Sequence, residues 1–249
     1  LALGAALPDE RLKWVEVRSR NFHAISSVGE PSTRQALLSF ERFRAAVHQV
    51  LGRGDAADRS LTLPSRVYLY PDARAFQRHT DLKDRAGVFF RNRLGFHIAL
   101  DMNHPDVERV VFHEYFHHHV REIAPDLDVP LWVNEGLACF YESTKVEPGK
   151  VTLGVPQGHR LRTLHQHKRM TLPQLMKVRH DSPEYRDPVP TARFYASSWI
   201  TTHYLLVGNP ERRNQLGQYL GRLRAGQSEG EAFLGAFRCS VEDLDAEVN

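Results

Sequence analysis

The residues best equipped for chemistry lie in one short string, His113-Glu114-Tyr115-Phe116-His117. On a helix, positions i and i+4 share a face, so both imidazoles can address one ion. Zinc–imidazole bonds are about 2.0–2.1 Å, which tolerates little misplacement and favours a rigid helical carrier. Glu114 stands about 100° round from His113. That puts it beside an ion rather than on it, where a base for an ion-activated water belongs. The string also falls on an apolar helical pattern, through Val110, Val111, Phe112, Tyr115, Phe116 and Val120, rather than in a loop. Pro105 is expected at the first helical position, with Asp106 and Glu108 in the first turn.

A catalytic zinc ion takes three protein ligands and keeps a fourth position open. The third is expected from Leu131-Trp132-Val133-Asn134-Glu135-Gly136-Leu137-Ala138, where Glu135 follows His117 by eighteen positions. The segment 124–129 is long enough to reverse the chain, so a second helix can cross the first. Gly136 and Ala138 are small enough to let those two helices approach closely. Trp132, Val133, Leu137 and Phe140 are apolar, so Glu135 should be buried, and a buried carboxylate needs a cation. Asn134 reads either as support for Glu135 or as plain helix surface. Cys139 shares the Glu135 face, so it could approach the metal, but it reads first as a buried structural thiol. His118 and His119 lie off the His113/His117 face and are expected beside the site or at the surface. His203, on much the same helix face as Tyr195, is a weaker candidate.

The elements that must hold these groups follow from periodicity. Trp14–Val17 and Phe22–Ile25 read as extended, and Glu30-Pro31-Ser32 opens a helix. Leu37, Phe40, Phe43, Val47 and Leu51 stripe that helix, and Gly52-Arg53-Gly54 should stop it. Arg66–Tyr70 alternates as a strand, and Pro71-Asp72 starts a short helix around Phe76. Ala86–Phe90 and Leu94–Leu100 flank the polar Arg91-Asn92-Arg93, as in an antiparallel hairpin. Pro130 opens the Glu135 helix. From about Gly158 onward the chain reads as helical, most clearly over Thr191–Leu206, Pro210–Leu223, Gly230–Phe237 and Val241–Val248. The expectation is a flexible segment 1–12 and one α+β domain over 13–249, with an α/β half to about 123 and a helical half from about 124.

H-E-x-x-H followed by W-x-x-E-G-x-A resembles the gluzincin zinc peptidases. Several features together resemble, more narrowly, the bacterial peptidase MA-like domains. These are the Ala86-Gly87 hairpin, the His118-His119 trailer, Pro130–Ala138 and Tyr195-Ala196-Ser197-Ser198-Trp199. The resemblance runs from about Trp14 to Val248, and only the two metal motifs are sharp. It implies a zincin-like α+β core, one Zn(2+) ion and peptidase activity on a peptide or protein substrate. It also implies His113, His117 and Glu135 as ligands, Glu114 as general base, and Tyr195 as hydrogen-bond donor to the oxyanion. Ala86, Gly87 and Val88 would present an edge strand to an extended substrate.

Composition excludes other classes. The chain has 249 residues, 41% hydrophobic and 25% charged, with a formal charge of +3 spread over scattered arginines. No cationic block suited to nucleic acid appears, and no apolar run reaches the roughly 18 residues of a membrane span. The apolar opening Leu1–Leu7 reads as the tail of an export signal or as a frayed terminus, and export to the periplasm or medium is the expectation. Cys139 and Cys239 could form one disulfide or stay as two thiols. Glu114-Tyr115-Phe116-His117 also contains Glu-x-x-His, but a di-iron bundle needs a second such motif, and the chain has none. A non-catalytic zincin-like module with a structural zinc is the rival from another class. Hydrolysis of esters or other amides is also open.

Overall fold

The computed structural model describes residues 12–50, 65–82, 86–92, 95–123, 126–147 and 150–248. The expected features at 1–11, Leu51–Gly54, Arg93–Leu94 and Ala124-Pro125 lie outside these residues. The fold is α+β: a mixed five-stranded sheet with helices in the N-terminal half, then a helical C-terminal half. Two compact units are present, Leu1–Tyr115 with Val146–Val151, and Phe116–Lys145 with Thr152–Asn249.

In the first unit, β1 (Val15–Arg18) pairs antiparallel with β2 (Phe22–Ser26). The turn between them is held by Glu41, whose carboxylate accepts from Ser19 Oγ, Asn21 N and Asn21 Nδ2, each at 2.7 Å. Glu41 belongs to α1 (Glu30–Val50), which joins β2 to the parallel strand β3 (Ser65–Tyr70). After α2 (Ala73–Thr80), capped by Asp72 Oδ1 accepting from Ala75 N at 2.8 Å, come β4 (Gly87–Asn92) and β5 (Gly95–Asp101). β5 runs parallel to β3 and antiparallel to β4, giving the order β1-β2-β3-β5-β4.

Burial follows position in the sheet. β2 alternates, with Phe22, Ala24 and Ser26 inward, whereas β5 is buried at every position after Gly95, as a central strand covered on both faces should be. The core on one face joins α1 to the sheet through Phe22, Phe40 and Phe43. Phe43 stacks on Phe112 at 4.1 Å and 3°, which anchors the start of α3 (Val107–Ile123). α3 begins two residues after the expected Pro105. His104 Nδ1 accepts from Asp106 N at 3.1 Å and His104 O from Val107 N at 3.1 Å, so Pro105 and Asp106 form the preceding turn.

The boundary between the units falls inside α3, between Tyr115 and Phe116, so α3 is one unbroken helix across it. In the second unit, α4 (Leu131–Tyr141) is apolar all round and buried at every position but Asn134. A two-stranded sheet, β6 (Lys145–Glu147) and β7 (Lys150–Thr152), follows it in the chain, with Val146–Val151 belonging to the first unit. Then come α5 (Gly158–Gln166), α6 (Leu172–Leu175), α7 (Pro183–Arg186), α8 (Pro188–His203), a π-helical turn Tyr204–Gly208, α9 (Pro210–Arg224), α10 (Glu229–Phe237) and α11 (Val241–Glu247).

α4 packs chiefly on α8. A Cβ on Gly136 would stand 2.2 Å from Thr202 Oγ1 and 2.6 Å from Ser198 O. The small residue therefore serves the α4–α8 contact, not the α3–α4 approach expected from the sequence. Trp132, Tyr219, Phe233 and Phe237 form the aromatic core beyond it.

Candidate metal centre

His113 and His117 stand one turn apart on α3, both half-buried, and Glu135 on α4 is only 3% exposed. One ligand atom from each of the three lies within 4.8 Å of the others. His117 Nε2 and Glu135 Oε2 are 3.3 Å apart. Zinc bonds of 2.0–2.2 Å at tetrahedral angles give a ligand-to-ligand edge of about 3.3–3.5 Å. The imidazole and carboxylate are thus spaced as two corners of such a site.

The tautomer of His117 agrees. Its Nδ1 meets Asn134 Oδ1 at 3.1 Å, and an amide oxygen only accepts. Nδ1 is therefore the donor in that contact, and Nε2 is left to face the Glu135 carboxylate. Nε2 and Glu135 Oε2, 3.3 Å apart, can share a metal ion or pair through a proton on Nε2, and a ring fixed by a neighbour is what a metal-ligating histidine has. Asn134 thus supports His117, rather than Glu135 or the plain helix surface that the sequence left open.

The other Glu135 oxygen has a separate partner. Tyr185 Oη donates to Glu135 Oε1 at 2.9 Å. Tyr185 was not among the residues singled out in the sequence, because nothing local marks a tyrosine fifty positions downstream in a four-residue helix. Tyr195 lies next to it, with ring centroids 6.2 Å apart. Burial, then the Glu135 charge and Tyr185, hold the Tyr195 phenol proton well above its ordinary pKa. Glu114 is half-buried on α3 beside His113.

The remaining candidates separate. His119 is buried and His118 half-buried, on α3 faces away from the His113/His117 pair. His203 Nε2 meets Gly154 O at 3.0 Å, and its ring packs on Phe140 and Trp199. Cys139 and Cys239 are not joined in a disulfide, and Cys139 is fully buried. Cys139 does belong to a second group of donors with His113 and Glu142. There, however, Glu142 is ion-paired with Arg160, both nearly fully buried. Burial works to lower the Arg160 pKa, and the charges around it, Glu142 included, outweigh that and raise it. A metal would have to displace a buried guanidinium, so His113, His117 and Glu135 are the better donor set. Glu142 had a sequence signal: Glu135, Cys139 and Glu142 repeat at i, i+4 and i+7.

β4 forms one edge of the sheet, with β5 as its partner among the described strands. Ala86 O accepts from Asp101 N at 2.9 Å. A Cβ on Gly87 would meet Leu100 Cδ2 at 2.6 Å and Ala99 O at 3.0 Å. Both residues thus already serve sheet packing, and Val88 pairs with Ala99.

A family model described as a protein of unknown function, DUF1570, matches residues 110–225, a little under half of the chain. That stretch contains all three candidate ligands, Glu114, Tyr185 and Tyr195. No curated protein matches the sequence.

Proposed function

We propose that this protein is a gluzincin-type zinc peptidase that cleaves peptide bonds in an extended peptide or protein substrate. The supporting observation is the donor set itself: two imidazoles one turn apart and a buried carboxylate, all within 4.8 Å, with Glu114 next in the chain to His113. Zinc held there would act as a Lewis acid and lower the pKa of water from 15.7 to about 7.

The chain's own groups supply the rest. Asn134 holds the His117 ring with Nε2 presented. Glu114 takes the proton from the attacking water and passes it to the amine nitrogen as the C–N bond breaks. Tyr195, whose phenol stays protonated because it is buried near Glu135, donates to the oxyanion of the tetrahedral carbon. The outer edge of β4 takes the substrate as an added strand. Export to the periplasm or medium remains part of this reading.

The test is hydrolysis of denatured casein or a peptide library by zinc-loaded protein and its Glu114→Gln variant. Wild type should be active. The variant should hold zinc equally well and lose on the order of 10²–10⁴-fold in rate. If both hold zinc and are equally inert, the protein is a zincin-like binding module with a structural metal.

A further inference from the structure

We propose that Tyr185 is a positioning residue that decides which oxygen of Glu135 is offered to the metal. The proposal rests on the metal reading above and deepens it. Glu135 Oε1 accepts from Tyr185 Oη at 2.9 Å, while Oε2 faces His117 Nε2 at 3.3 Å. The two oxygens of one buried carboxylate therefore have different partners. A carboxylate with both oxygens available can bind a metal through either or both. With Oε1 held by a phenol, binding through Oε2 alone is favoured, and a coordination position stays open for water and substrate.

The phenol is itself held firmly. Tyr185 sits in α7, which starts at Ser182-Pro183, and its N–H donates to Ser182 O at 3.0 Å. Its ring is set edge-on against His180 at 5.1 Å and Phe194 at 6.1 Å, both at 80°, and meets Tyr195 at 6.2 Å. Rings on three sides fix the plane of the phenol and so the direction of its O–H. The hydroxyl reaches the donor set through Glu135, and it also hydrogen-bonds Tyr195.

Tyr185→Phe keeps the ring and removes the donor. Zinc affinity should fall by about 10–100-fold, as when partners of metal ligands are removed elsewhere. Loaded with cobalt(II), the variant should show weaker visible absorption than wild type, because Glu135 then binds through both oxygens and coordination rises from four to five. A lower thermal midpoint of the metal-free variant with an unchanged cobalt spectrum and zinc affinity would make Tyr185 merely structural and overturn the proposal. Wild type that takes up neither metal would overturn the metal reading itself. Wild type that binds one ion, matched by Tyr185→Phe in affinity and spectrum, would overturn the Tyr185 proposal alone.

Discussion

Around Glu135 the side chains divide a single task. Asn134 accepts from the His117 ring, the other nitrogen of that ring faces Glu135 Oε2, and Tyr185 donates to the carboxylate oxygen that does not face it. Tyr195 sits one ring further out, held protonated by burial near a negative charge. If its hydroxyl stabilises the oxyanion, Tyr195→Phe should lower kcat by about 10²–10³-fold with zinc content unchanged. Steady-state kinetics on metal-loaded protein checks this, and an unaltered kcat would make Tyr195 a packing residue. At this scale the grouping of the three candidate donors could be read from the sequence because its signals are local: a four-residue spacing on one helix, and a lone acid among apolar neighbours. Tyr185 could not, because its meeting with Glu135 depends on how α7 turns before α8. Asn134 reads in the sequence as support for Glu135 or as helix surface, whereas it meets His117, since adjacency in sequence says little about which way a helical side chain points.

At the scale of elements, the position of Glu135 depends on how α4 lies against α8. That contact is close because Gly136 has no side chain opposite Ser198 and Thr202. In Gly136→Ala the added methyl would press on a backbone carbonyl that cannot rotate away. The substitution should cost about 1–3 kcal/mol through overpacking and weaken zinc binding by shifting Glu135. Thermal unfolding of the metal-free protein and zinc titration together check both effects; a variant as stable as wild type would show that α4 can move freely. The long helices and the alternating strands were readable from periodicity, and their centres agree closely with the structure. The short β6–β7 sheet and the π-helical turn at Tyr204–Gly208 were not, being too brief to leave a pattern. The start of α3 was misjudged because Pro105 fits a helical first turn, but here the turn closed by His104 comes first.

For the whole molecule, the α+β class followed from strands that alternate early and helices that dominate later, and the structure has that order. The sequence suggests two halves dividing at about 123/124, at the end of α3; the two compact units divide inside α3, between Tyr115 and Phe116, where an unbroken helix carries no break in its pattern. Among the described residues no helix is long and apolar enough to cross a membrane, as the hydropathy suggested. The proposed function requires that His113, His117 and Glu135 together hold a single zinc ion. Metal analysis of purified wild type and His117→Ala tests it most directly. One zinc per chain in wild type, lost in His117→Ala while the fold is retained, is the predicted result. A His117→Ala protein carrying as much zinc as wild type would contradict the account.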